Sequence, residues 1–169
     1  MERLLVNSVG PARKATFAGR DFYVVPMTLV VPGVLHGSKG AYYYPAEELK
    51  KDPSIWNGLP LVVDHPVRDG VSISARNPEV LNDSGIGYVF NAKYVTSKQK
   101  GQEQGKLVAE GWFDVALTRK VNQGVYNSLK SNTTIELSTG LYAETDPAPY
   151  GAIDNKGRAY KFIARNYQG

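Results

Sequence analysis

Runs of β-branched and aromatic residues, cut by prolines, glycines and polar stretches, recur along the chain and predict strands. Phe22 to Val34 (FYVVPMTLVVPGV) is one such run. Pro26 and Pro32 within it predict an edge, a bulge or a strand break, because proline removes a ladder donor. Ala41 to Tyr44 is followed by Pro45 and by AEELKK (Ala46 to Lys51), a short helix stopped by Pro53. Leu59 to Asp64 has strand length, set up by Gly58 and closed by Pro66.

Val67 to Ser84 is polar and reads as a surface loop with a helical turn at Pro78 to Leu81. Ile86 to Val95 and Lys106 to Val115 read as strands, joined through the polar stretch Thr96 to Gly105 as a long hairpin with a flexible tip. Thr118 to Lys130 is the clearest helix, with Val121, Val125 and Leu129 on one face and Gly124 weakening it slightly. Thr134 to Ala143 is strand-like, DPAPYG (Asp146 to Gly151) and Asn155-Lys156-Gly157 mark turns, and Arg158 to Ala164 reads as a last strand. About seven strands with two or three helices predict a mostly β, α+β fold: a closed or strongly curved, mostly antiparallel barrel flanked by helices.

The length of 169 residues fits a single domain over the whole chain. The chain stops at Tyr167-Gln168-Gly169 without a terminal helix or polar tail, which reads as a truncated or processed C-terminus. Aromatic residues at 11% argue against disorder. No apolar run reaches the roughly 18 residues of a membrane span, and the start does not read as a secretory signal. Cysteine is absent, so disulfides, thiolate metal sites and a cysteine nucleophile are excluded, in keeping with a reducing cytoplasm. The net charge of +4 is spread along the chain with Lys50-Lys51 and Arg119-Lys120 as the basic doublets, which points to an ordinary solvated surface and not to a specific nucleic-acid face. Attraction to an acidic protein partner stays open. No cofactor or metal is expected.

The candidate chemistry lies in LPLVVDHP (Leu59 to Pro66) and IELSTGL (Ile135 to Leu141). The chain holds two histidines, His36 and His65, and a histidine with its ordinary pKa of roughly 6.5 can accept and return a proton near neutrality. His65 would stand at the end of a strand beside an exposed loop. Ser138, a poor nucleophile alone, needs such a base within hydrogen-bond reach. Gly140 permits close backbone approach, and the amides of Thr139 and Gly140 could point at a developing oxyanion. The GxSxG elbow is absent, since Glu136 holds its first glycine position, which argues against an ordinary α/β-hydrolase. On these residues alone, a structural serine and a turn histidine remain open alternatives.

The order of the segments resembles the tailed-phage prohead (capsid maturation) serine proteases, distant relatives of herpesvirus assemblin. LPLVVDHP matches that family's histidine strand, KLVAEGWFDV its following strand, Thr118 to Lys130 its helix, and LSTGL its serine strand. The segment GVLHGSKGAYYYPAEEL (Gly33 to Leu49) is similar to an uncharacterised phage-encoded branch, and the likeness runs from about Val24 onward. The resemblance implies a herpesvirus-protease-like fold, with Ser138 as nucleophile and His65 as the general base that later protonates the leaving amine.

For the third member it implies an acidic residue, from among Asp64, Asp114, Glu136 and Asp154, or a group lying beyond Gly169. Asp64 and Glu136 adjoin their partners, and strand alternation counts against both. Asp114 is the acid named first, with a helix N-terminal role as the competing reading. His36, in a Gly-rich segment, reads as a loop residue. Arg158 and Arg165 are candidates for the oxyanion environment, or exposed strand arginines. The resemblance further implies cleavage of scaffold and major capsid proteins and self-cleavage, a possible homodimer, and a location inside the immature capsid in the host cytoplasm, or the bacterial cytoplasm for a prophage-encoded copy. Val67 to Ser84 would flank substrate or act as a lid. Two competing readings are a non-enzymatic virion module that keeps the fold and binds scaffold or capsid protein, and a basic β-barrel that stacks bases on Tyr42, Tyr43 and Tyr44.

Overall fold

The computed structural model describes residues 2–7, 10–37, 40–99, 102–133 and 135–168. In chain order its elements are β1 (Glu2–Asn7), β2 (Arg13–Phe17), β3 (Arg20–Val30), β4 (Gly33–Gly37), β5 (Gly40–Tyr44), α1 (Ala46–Lys51), a 3-10 turn at Pro53–Trp56, β6 (Pro60–Val62), β7 (Val67–Arg68), β8 (Val71–Ser72), α2 (Pro78–Ser84), β9 (Gly85–Gln99), β10 (Gln102–Asp114), α3 (Val115–Val121), α4 (Gln123–Ser131), β11 (Glu136–Pro147) and β12 (Phe162–Gln168). The fold is mostly β with a few helices, as the sequence pattern predicts.

Among the described residues the strands form two five-stranded sheets, ordered β1-β11-β12-β5-β4 and β2-β3-β10-β9-β6, and the small β7-β8 ribbon. The expected barrel is not closed. The outer strands β1 and β4 of the first sheet approach each other, so that sheet curls, yet no ladder joins them. One pair, β12 with β5, is parallel.

Between the sheets lies an apolar core that draws Met27 and Leu29 from β3, Leu107 and Ala109 from β10, Val89 from β9, Tyr42 and Tyr44 from β5, and Ala164 and Tyr167 from β12. The alternation of β3 explains this: Tyr23, Val25, Met27 and Leu29 all face inward and are at most 8% exposed. Pro26 does not break β3. It pairs with Glu110 of β10, while β2 reaches along β3 only as far as Val24, so the missing N–H falls on an open edge. The proposed tyrosine platform is used internally: Tyr42 and Tyr44 are buried and stack on Phe162 and Tyr167, and Tyr43 stacks on Tyr160. Burial, with Glu48 and Tyr44 nearby, pushes the Tyr167 phenol far above its usual pKa and keeps it neutral.

A second apolar cluster is built from Tyr23, Val25, Ile86, Phe113 and Leu129, against which Leu61, Val63, Val125 and Ile135 pack. The helix expected over Thr118 to Lys130 is two helices. Asn122 (φ −149°, ψ 105°) interrupts them and its side chain accepts from the Val125 N–H at 3.0 Å, capping α4. A short amide that can bond its own backbone competes with helix continuation in this way. The Asn132 side chain accepts from the Ala12 N–H at 2.9 Å and ties the end of α4 to the start of β2. Among the described residues no helix is long and apolar enough to cross a membrane.

Gly87 lies opposite both Leu61 of β6 and Phe113 of β10. A Cβ there would collide with the Trp112 carbonyl oxygen, a backbone atom that cannot rotate away. Gly87→Ala is therefore expected to destabilise the fold by about 1–3 kcal/mol, the usual cost of overpacking, read as a lower urea midpoint at unchanged slope.

Candidate active site

The segment bearing the histidine begins at Gly58, whose φ of 78° suits glycine, and docks on β9 through Gly58 N–H to Val89 O at 2.7 Å and Val89 N–H to Leu59 O at 2.8 Å. β6 ends at Val62, sooner than the apolar run suggests, and the Val63 N–H donates to Ser84 O at 3.0 Å. Asp64 then takes a left-handed conformation (φ 62°), which turns the chain off the sheet before His65. His65 is half-buried, and the following Pro66 biases its backbone toward the extended region.

Ser138 arrives from the other sheet. It sits in β11 opposite Leu5 of β1, exposed on the outer face. Its neighbour Thr139 points the other way, its hydroxyl donating to the Leu29 carbonyl of β3 at 3.4 Å. The two segments meet. His65 Nε2 and Ser138 Oγ are 2.7 Å apart, a hydrogen bond between residues 73 positions apart in sequence. Both arms are seated on the second apolar cluster, Val63 two residues before the histidine and Ile135 three residues before the serine. A cleft of about 160 Å³, bordered by Ala12, Val25, Leu129 and Ile135, opens beside the start of β11.

The remaining candidates are placed as follows. Asp114, at the end of β10, has both oxygens engaged: one accepts from the Leu117 N–H at 2.8 Å as the cap of α3, the other pairs with Arg20 Nε at 2.7 Å. Its capping role explains its burial, and the geometry does not free it to orient an imidazole. Asp154 is buried and holds Arg158, accepting from the Arg158 and Lys156 amides and from Arg158 Nε. Burial alone would raise its carboxyl pKa, but those donors override it and hold it at about 2. Asp64 lies in a turn with an exposed side chain, so strand alternation does not decide its direction.

For Glu136 alternation argues the other way from the sequence expectation. It is two residues from Ser138 on a continuous strand, so the two side chains share a face, and Glu136 is exposed. His36 lies in β4 opposite Ala41, not in a loop.

The paired amides of Thr139 and Gly140 also need correction. Both belong to a strand whose edge is paired with β1, and successive N–H groups on a strand point to opposite edges. The two cannot converge on one oxygen. Neither arginine is a free oxyanion donor: Arg158 pairs with Asp154 at 2.6 Å, and Arg165 contacts Asp146 at 3.2 Å and Glu48 at 3.3 Å. Glu48 is a buried acid the sequence reading passed over. Its burial would raise its pKa, yet Lys51, the Asn166 N–H and Arg165 together hold it below the usual value. Its position within a charged helix, AEELKK, gave no sign that the helix packs this residue inward. Among the described residues no cluster of three or more His or acidic side chains could hold a metal.

No family model, curated protein or solved structure matches the chain.

The Asp154 geometry carries a pH signature. A carboxyl held at about 2 in the fold, against an ordinary 3.8, contributes stability that is present above about pH 4 and lost as pH falls toward 2. Asp154→Asn is expected to lower the thermal midpoint at pH 7, with the difference from the native protein shrinking to nothing as pH approaches 2 in parallel melts.

Proposed function

We propose that the chain is a serine endopeptidase in which Ser138 is the nucleophile and His65 the general base. The observation that carries this reading is the 2.7 Å contact between His65 Nε2 and Ser138 Oγ. With that nitrogen unprotonated, His65 takes the hydroxyl proton as Oγ attacks a substrate carbonyl carbon, and it returns the proton to the leaving amine as the C–N bond breaks. Water, deprotonated by the same imidazole, then releases the acyl group from Oγ. The exposure of Ser138 on the outer face leaves room for a polypeptide to approach it. Of the acids weighed, Glu136 shares the serine's face and, among the described residues, has no capping or ion-pairing contact, and it replaces Asp114 as the favoured orienting group.

The biological setting rests on the resemblance of the ordered segments to prohead proteases: cleavage of scaffold and capsid-protein segments, and of the enzyme itself, within an immature capsid. A dimer is part of that reading. A non-enzymatic module would be favoured by a wide separation of Ser138 and His65, and their contact removes that support.

The direct test is covalent labelling with a fluorophosphonate, followed by cleavage of the cognate scaffold protein. The native chain is expected to label at Ser138. Ser138→Ala should lose the label and cut turnover by on the order of 10⁶. Cleavage persisting in Ser138→Ala would sink the proposal. Glu136→Gln is expected to lower kcat without moving the melting temperature, whereas Asp114→Asn should lower the melting temperature by removing the buried charge that pairs with Arg20. Kinetics and calorimetry on the two variants separate the roles.

A further inference from the structure

The chain leaves the histidine through the hairpin of β7 and β8, and this hairpin presents apolar side chains to solvent: Val67 is 51% exposed and Val71 65%. The hairpin is well fixed. Asp69 (φ 51°) and Gly70 (φ 77°) form a two-residue turn of the kind that matches strand twist. The Ile73 N–H donates to the Pro66 carbonyl at 3.0 Å, closing its base. Arg68 forms an ion pair with Glu79 of α2.

The two valines are not equivalent. Val67 lies opposite Ser72 and Arg68 opposite Val71, so Val71 shares the face that Arg68 ties to α2, while Val67 occupies the other. A residue before proline favours extended backbone, the Pro66 carbonyl is bonded across the base of the hairpin, and in extended chain residues two apart project on the same side. Val67 therefore stands on the side of His65, with at most about 7 Å of chain between their Cα atoms. Side chains on one side of an extended substrate repeat at that same spacing of about 7 Å. A serine and a histidine recognise only a carbonyl and a leaving group; choosing among side chains needs a wall fixed beside them.

Resting on the endopeptidase reading, we propose that Val67 walls the subsite beside His65 and selects an aliphatic side chain of the substrate polypeptide within two residues of the cut bond. The probe is a peptide library made by digesting a whole bacterial proteome with a glutamate-specific protease, which leaves Lys, Arg and the aliphatic residues internal, with cleavage positions read by mass spectrometry. Fluorophosphonate labelling of Ser138 is measured alongside for the native chain, Val67→Asp and Val71→Asp.

The native chain and Val71→Asp are expected to enrich Val, Leu or Ile at one position within two residues of the cut. Val67→Asp should still label at Ser138, lose roughly tenfold in kcat/KM toward those peptides, and shift its preference toward Lys or Arg at the same position. Proteins that label but leave the library uncut, or cut it with one shared preference, overturn the role of Val67 alone. Absence of both label and cleavage removes the endopeptidase reading and this inference with it.

Discussion

Burial of Val63 and Ile135 in one apolar cluster is the constraint on which the candidate site depends. Neither sheet holds both members of the dyad, and no ladder connects β6 to β11. What brings them together is that the last apolar residue before the Asp64 turn and the residue entering β11 both lose water against Tyr23, Val25, Ile86, Phe113 and Leu129. Apolar burial is non-directional and supplies proximity; the Asp64 turn and the alternation of β11 then supply direction. A single 2.7 Å hydrogen bond at the surface adds little to stability. The dyad is thus a product of the packing and not a cause of it.

The buried acids follow a different logic. Glu48, Asp114 and Asp154 are each taken out of water and each answered by an arginine, from Arg165, Arg20 and Arg158 respectively. Breaking such a pair would strand an uncompensated charge, so these carboxylates are held to their structural partners. Arg158 also lies where a side chain at Gly33 (φ 125°) would be, which pins the excursion between β11 and β12 onto β4.

The sequence foretold the strands at β3, β9 and β10 and the helix α1, because each depends on local period; the pairing of His65 with Ser138 was an expectation of the segment-order resemblance, which the residue types alone left open. What it concealed was non-local. Pro26 looked disruptive until β2 proved too short to reach it. Asn122 divided a continuous apolar stripe because its own side chain caps the next helix, an effect invisible to periodicity. Asp114 and Thr139-Gly140 were attractive on residue type, but caps and edge pairing had already claimed them. Whether a curved sheet closes on itself depends on tertiary register between β1 and β4, and nothing in either strand's composition encodes that.

The separation of 73 residues between His65 and Ser138 also bears on when the two can meet. Ser138 lies in a strand held at its edge by β1, from the opposite end of the chain, and His65 follows β6, the outer strand of the other sheet. Loop closure over such spans is costly in entropy until both sheets have formed. A nascent or half-folded chain therefore carries a serine and a histidine that have not met, and the proposed activity would arise only once folding is finished.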